Sequence, residues 1–122
     1  ISLLGRVSSQ EMKEILNSAS IMAFPSTYEG FGIPVLEAMA AGVPVIAAQG
    51  TPATNLLGEG SLTVKHDDDE AWSFALNRLL NDQDLRKRLV FEGFKQANKY
   101  TYQNSAQQLL ETWHQLIAIR RK

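Results

Sequence analysis

Short apolar runs alternate with stretches of helical periodicity through the first half of the chain, and helical periodicity takes over after about Lys65. The first apolar run, Ile1 to Leu4, predicts a strand. Ser8 or Ser9 can cap a helix to about Asn17, with Glu11 favourably placed in its first turn. Ile21 to Phe24 predicts a buried strand ending at Pro25, and Ser26 to Phe31 a loop. There follow a helix from about Ile33 to Ala41, a strand from Val43 to Ala47, a short helix around Ala53 to Leu57 and a strand from Ser61 to Val64. Strands alternating with helices imply a parallel sheet with crossover helices. The expected fold class is therefore α/β: part of a doubly wound parallel sheet of about four strands, with helices on both faces and a helical carboxy-terminal region.

Beyond Lys65 the periodicity predicts three helices. Asp67 or Asp68 caps the first, which runs to about Asn81 with Trp72, Ala75, Leu76 and Leu79 on one face. The second runs from about Asp82 to Asn98 and buries Leu85, Leu89 and Phe94. The last, from about Tyr102 to Ile119, carries Ala106, Leu109, Leu110, Trp113, Leu116 and Ile117 at helical spacing. Two readings of that last stripe stand side by side. It covers this domain's own sheet, or it is left exposed and drives self-association. No repeat, low-complexity segment or linker interrupts the pattern.

Bulk composition narrows the functional classes. A chain of 122 residues fits one domain, and 44% hydrophobic with 20% charged content is that of an ordinary soluble globular protein. A net charge of −1 gives no global attraction to nucleic acid or anionic lipid, and no nucleic-acid partner is expected. The basic run Arg120-Arg-Lys122 is too short for such a patch and suits a helix carboxyl end. The absence of cysteine excludes disulfides, thiolate metal sites and a cysteine nucleophile, and is compatible with the cytoplasm. The longest apolar run is interrupted by Glu37 and broken at Gly42-Val-Pro44, too soon to span a bilayer. The chain opens on an apolar run without an initiator methionine, as a fragment of something longer would.

The interruption at Glu37 is the most informative feature. From Ile33 to Ala48 the chain is almost unbroken hydrocarbon around this one carboxylate. Gly30, Gly32 and Pro34 suit a helix entrance and Gly42 its exit. Ile33, Leu36, Ala40 and Ala41, the helical neighbours of Glu37, are apolar, which predicts a buried helix and a carboxylate in need of a partner. That partner is either remote in sequence, such as Arg6, or a ligand. Upstream, Gly30 and Gly32 let backbone approach a ligand closely. The first helical turn offers the amides of Phe31, Gly32, Ile33 and Val35 to a phosphate. Carboxylates on either side of that turn repel phosphate and suit hydroxyls instead. Glu37 can accept from both hydroxyls of a ribose, and Glu29 from a sugar beyond a diphosphate. The inferred ligand is a nucleotide sugar. As alternatives, Glu37 pairs with a distant base within the protein, and Glu29 serves only the dipole of the following helix. Asp67-Asp-Asp-Glu70 beside His66 is better explained as helix capping than as a metal site. His66 and His114 show no zinc or triad spacing.

The segment Pro25-Ser-Thr-Tyr-Glu-Gly-Phe-Gly-Ile-Pro-Val-Leu-Glu-Ala-Met-Ala-Ala-Gly-Val-Pro-Val45 resembles the signature of glycosyltransferase family 4 (group 1), whose fold is GT-B. Its paired glutamates, Glu29 and Glu37 with seven residues between, match the family's spacing. Gly5-Arg-Val7, Ala19 to Pro25 and, more loosely, Asp82 to Tyr102 extend the resemblance over nearly the whole chain. It implies a Rossmann-like carboxy-terminal donor domain, with the amino-terminal acceptor domain lying in a part of the protein not present here. It also implies retaining transfer of a hexosyl group from a nucleoside-diphosphate sugar in polysaccharide or glycolipid synthesis, without bound metal or other cofactor. By the same resemblance Glu29 is catalytic and contacts the donor sugar. Gly30, Phe31, Gly32, Ile33 and Val35 lie along the diphosphate, and Glu37 holds the ribose. A cytoplasmic enzyme is implied, peripheral membrane association of the longer protein being compatible with it. The basic pair that usually contacts the phosphates would precede Ile1, so the fragment alone is expected to be inactive. Asn55 departs from the pattern, since many members carry glutamate before the apolar pair and glycine found here as Leu56-Leu-Gly58. A binding module of the same fold that has lost its chemistry, or another nucleotide-sugar enzyme such as an epimerase or phosphorylase, remains as an alternative.

Overall fold

The computed structural model describes residues 1–120, so Arg121 and Lys122 of the basic tail lie outside the described residues. The elements, in order, are α1 (Ser9–Ser18), β1 (Met22–Phe24), α2 (Ile33–Ala40), β2 (Val45–Ala48), α3 (Pro52–Leu57), a 3₁₀ turn (Gly58–Gly60), β3 (Ser61–Val64), α4 (Asp69–Asn81), α5 (Gln83–Lys99) and α6 (Tyr102–Arg120). Local chemistry explains most of the boundaries. Ser8 and Glu11 close a reciprocal capping box on α1: the Glu11 amide donates to the Ser8 hydroxyl and the Ser8 amide to the Glu11 carboxylate. The Ser8 amide, and then its hydroxyl, hold the Glu11 carboxyl below its ordinary pKa. Asp68 and Asp82 cap α4 and α5 through the amides of Ala71 and Leu85. The Arg86 guanidinium donates to the carbonyls of Leu79 and Leu80, satisfying the carboxyl end of α4.

The sheet is parallel, three-stranded and ordered β1-β2-β3, with Met22 opposite Val45 and Val45 opposite Ser61. Alternation along β2 divides the core. Val45 and Ala47 join Leu16 of α1, Val35, Ala38 and Met39 of α2, and Leu57 of α3. Ile46 points the other way, to Val64, Ala75 and Leu79 of α4 and Leu85 and Leu89 of α5. Helices therefore cover both faces, which is the doubly wound arrangement expected. The loop that carries Glu29 follows the carboxyl end of β1, where ligands of such sheets bind.

Three expectations need correction. The sheet has three strands rather than four, because Ile1 to Leu4 pairs with nothing and Ile1, Leu3 and Leu4 are exposed. So short a run gains few ladder hydrogen bonds, and no side chain covers it. Phe94 is not buried, since α5 turns its Leu85–Leu89–Gly93 line inward instead. Finally, α6 buries no residue at all. The reading in which it covers its own sheet fails, and Trp113, Leu116 and Ile117 face outward.

The packing of α5 across α2 and the 3₁₀ turn depends on two glycines. A Cβ on Gly60 would lie 2.8 Å from both the Cα and the amide nitrogen of Gly93, and neither backbone atom can yield without moving the helix. Gly60→Ala is therefore expected to lower stability by about 1–3 kcal/mol, as overpacking does. Urea denaturation checks this, and an unchanged midpoint would show that the turn can move away from α5 freely.

Candidate functional site

The site is built around the entrance to α2. Gly32, with φ 89°, occupies the left-handed region and forms the amino-terminal cap of the helix. A Cβ there would also come within 2.7 Å of the Ala53 Cβ, so the residue lets the start of α2 close against α3. This differs from the expected use of Gly32 as a point of ligand approach. Gly30 does present open backbone: its φ lies outside the left-handed region, and a Cβ on it would meet no atom within 4 Å.

The amides are also divided more finely than the sequence suggests. Val35 is buried and its N–H already donates to the Gly32 carbonyl at 3.1 Å, so it adds no free amide. Gly32 is buried against α3. Phe31 and Ile33 are exposed, and within the described residues their amides have no backbone acceptor. They sit at the positive end of the helix, beside Pro34, which has no N–H to give.

Glu29 is half-buried in the loop before this turn and accepts a hydrogen bond from the Ser26 hydroxyl at 3.0 Å. Ser26 was not singled out from the sequence. Its position three residues before a loop acid was the available signal, since such short polar side chains commonly bond within their own turn.

Glu37 is exposed rather than buried. The expectation of a helix buried on all sides fails because only Val35, Ala38 and Met39 turn into the core. The outer stripe of Ile33, Ala40 and Ala41 around Glu37 is apolar yet uncovered. Part of it forms one wall of a cleft of about 570 Å³, closed on the other side by α1 and the residues before it. Val7, Ser8, Ser9, Met12, Lys13, Leu16 and Asn17 line that opposite wall. The volume falls within the range of small-molecule sites. Among the described residues no hydrogen bond or ion pair engages the Glu37 carboxylate; the ion pairs formed are Lys65–Asp67, Lys87–Asp84 and Lys95–Glu92. Among the described residues, therefore, neither Arg6 nor another base clamps it.

The α1 wall was not read from the sequence as part of a site. Its one signal was an exposed Met12 beside Lys13 on an otherwise polar helix face, which is too common to stand out. The structure thus brings Glu37 and the cleft together on one side of α2, and Glu29, Gly30, Phe31 and Ile33 at its amino end. At 1.5 Å rise per residue, Glu37 lies about 6 Å along the helix axis from Ile33. Among the described residues no group of three or more His, Asp or Glu side chains is arranged to hold a metal ion. Among the same residues no helix is long and apolar enough to cross a membrane.

Comparison with known proteins identifies the family. The profile of the family described as glycosyl transferases group 1 matches residues 1–96. The chain is 37% identical over 109 residues to a D-inositol 3-phosphate glycosyltransferase of Corynebacterium urealyticum, covering 88% of this chain and 26% of that protein. It is 31% identical over 113 residues to O-antigen chain mannosyltransferase B of Escherichia coli, covering 93% of this chain and 30% of that protein. Among solved structures, sucrose-phosphate synthase from Thermosynechococcus elongatus superposes with a TM-score of 0.83 at 27% identity, over 97% of this chain and 30% of that one. The carboxy-terminal domain of a glycosyl transferase group 1 family protein from Francisella tularensis superposes with a TM-score of 0.70 at 26% identity, over 80% of this chain and 51% of that one. The chain thus spans less than a third of the length of these two curated relatives. With the family profile matched over residues 1–96 and curated relatives more than 30% identical over most of its length, the chain belongs to the group 1 glycosyl transferases, with the fold of a GT-B carboxy-terminal domain.

Proposed function

We propose that this chain is the donor-binding part of a retaining glycosyltransferase that moves a hexosyl group from a nucleoside-diphosphate sugar to an acceptor hydroxyl. The observation that carries the reading is the Glu37 carboxylate, unpaired among the described residues, opening on the cleft between α1 and α2, one helical turn from the free amide of Ile33 with that of Phe31 just before it. In this reading the nucleoside occupies the cleft and its ribose hydroxyls donate to Glu37. The diphosphate lies over the helix entrance, and the sugar reaches Glu29. The relatives bear names that differ in what they act on, while the segment they share with this chain is the same. That favours a role common to both reactions, which is the donor end.

The chemistry assigned to these residues is electrostatic. As the bond from the sugar to the diphosphate breaks, negative charge gathers on the leaving phosphate oxygens. The Phe31 and Ile33 amides and the helix dipole are already aimed at that position, so little reorganisation is required. Glu29, as catalytic residue, holds a donor-sugar hydroxyl and thereby fixes the orientation of the ring at the breaking bond. Its hydrogen bond from Ser26 leaves the second carboxylate oxygen free for this. No metal or other cofactor takes part in the proposed step. The remaining phosphate contacts and the acceptor site belong to other parts of a longer, cytoplasmic protein, together with any peripheral membrane contact.

Calorimetric titration separates the two glutamates. Glu37→Gln is expected to weaken nucleoside-diphosphate binding roughly 10- to 100-fold, the range for losing hydrogen bonds to a charged acceptor. Glu29→Gln should weaken only the sugar conjugate. Equal losses on the plain nucleotide would contradict the assignment. Gly30 supplies an independent check, because nothing in the fold requires a glycine there. Gly30→Ala is expected to leave stability within about 0.5 kcal/mol while weakening diphosphate binding. Unaltered affinity would mean that the diphosphate does not approach this backbone.

On its own the 122-residue polypeptide is expected to transfer no sugar and to self-associate through the exposed Trp113–Ile117 face of α6. Measured transfer, or a monomeric sedimentation profile at high concentration, would contradict those two parts respectively.

A further inference from the structure

The loop between β1 and α2 is thinly held. Tyr28 is 95% exposed, a Cβ on Gly30 would meet no atom within 4 Å, and among the described residues the Glu29 side chain is bonded only to the Ser26 hydroxyl. The one ring-to-ring contact made by the loop is that of Phe31, which meets the Tyr100 ring edge-on with centroids 5.9 Å apart and planes at 80°. Among the described residues it is the only aromatic pair.

Tyr100 is well placed to act as a fixed post. It ends α5, which is locked against α2 and the 3₁₀ turn by the close approach of Gly93 to Met39 and Gly60. The capping at this junction needs no aromatic ring. The Tyr100 amide donates to the Ala97 carbonyl at 3.0 Å, and the Thr101 hydroxyl then accepts from the Asn104 amide to start α6. The ring lies outside both core clusters and is 39% exposed. Its hydroxyl makes no hydrogen bond among the described residues. What the side chain does here is meet Phe31, and an edge-to-face contact needs the ring and not the hydroxyl.

We propose that Tyr100 is a positioning residue of the donor site: its ring holds Phe31, and with it the Phe31 amide and the open backbone at Gly30, in the conformation that receives the diphosphate and sugar. The proposal rests on the donor-site reading above and adds to it a residue remote in sequence. It also makes the α5–α6 junction part of the site, since Tyr100 is the last residue before the cap of α6.

The test uses the intact protein and two variants, Tyr100→Ala and Tyr100→Phe. Tyr100→Ala is expected to weaken binding of a nucleoside-diphosphate sugar roughly three- to tenfold, the size of one aromatic contact. Affinity for the nucleoside monophosphate, held at the Glu37 end, should stay unchanged, and Tyr100→Phe should restore the lost affinity. Without ligand, amide hydrogen exchange at Val35, whose N–H donates to the Gly32 carbonyl at the same turn, is expected to accelerate severalfold in Tyr100→Ala and not in Tyr100→Phe. Wild-type affinity of Tyr100→Ala for the sugar conjugate would overturn the proposal. So would an equal loss on the monophosphate, a failure of Tyr100→Phe to restore binding, or exchange that does not respond. If the unaltered protein bound no nucleotide while the exchange difference persisted, the donor-site reading would fail instead, and the ordering of the loop by Tyr100 would stand.

Discussion

At Gly32 the chain reverses with a positive φ while its Cα side is pressed against Ala53, and both conditions exclude a side chain. Everything at the site is referred to that point. It fixes where α2 begins, and so which amides are left without helical acceptors. It also fixes the rotation of the helix about its axis, because Val35, Ala38 and Met39 must then turn into the core beside Val45 and Ala47. With those three inside, Glu37 has to face out, into the cleft against α1. One backbone constraint thus sets the spacing between a carboxylate and a helix end with free amides.

The exposure of Glu37 alters the physical argument about it. Within a fully buried helix the carboxylate would demand a partner, because desolvating an unpaired charge is costly. On the wall of a cleft it costs the fold little, and an exposed glutamate by itself signals nothing. What distinguishes this one is its setting: apolar neighbours along its own helix face, an open cleft of a size fit for a small molecule, and no cation bonded to it among the described residues. In place of energetic necessity stands availability.

Most of the element boundaries were legible because capping chemistry is local. The boxed pair Ser8 and Glu11, and the aspartates at 68 and 82, announce their helices within a residue. Burial was less legible, because it depends on partners distant in sequence. Eight residues of mostly apolar α2 look the same whether the outer face is covered or open. Its outer stripe is open because α1 stands off far enough to leave a cleft. The mostly apolar first four residues look like a strand but pair with no strand among the described residues. The periodicity of α6 is real, yet a stripe states only that something is to be covered, not by what. The pair Glu29 and Glu37 was picked out in the sequence by its setting and by its resemblance to the family's motif. The contact of Phe31 with Tyr100 was not, since no periodicity relates a loop residue to the end of a distant helix.

A structure of the protein with a nucleoside diphosphate bound tests the central claim most directly. The expected result places both ribose hydroxyls within hydrogen-bonding distance of the Glu37 carboxylate, with the nucleoside in the cleft between α1 and α2 and the diphosphate over the Phe31 and Ile33 amides. A nucleotide bound elsewhere with that cleft empty, or one held with Glu37 turned away from the ribose, would contradict it.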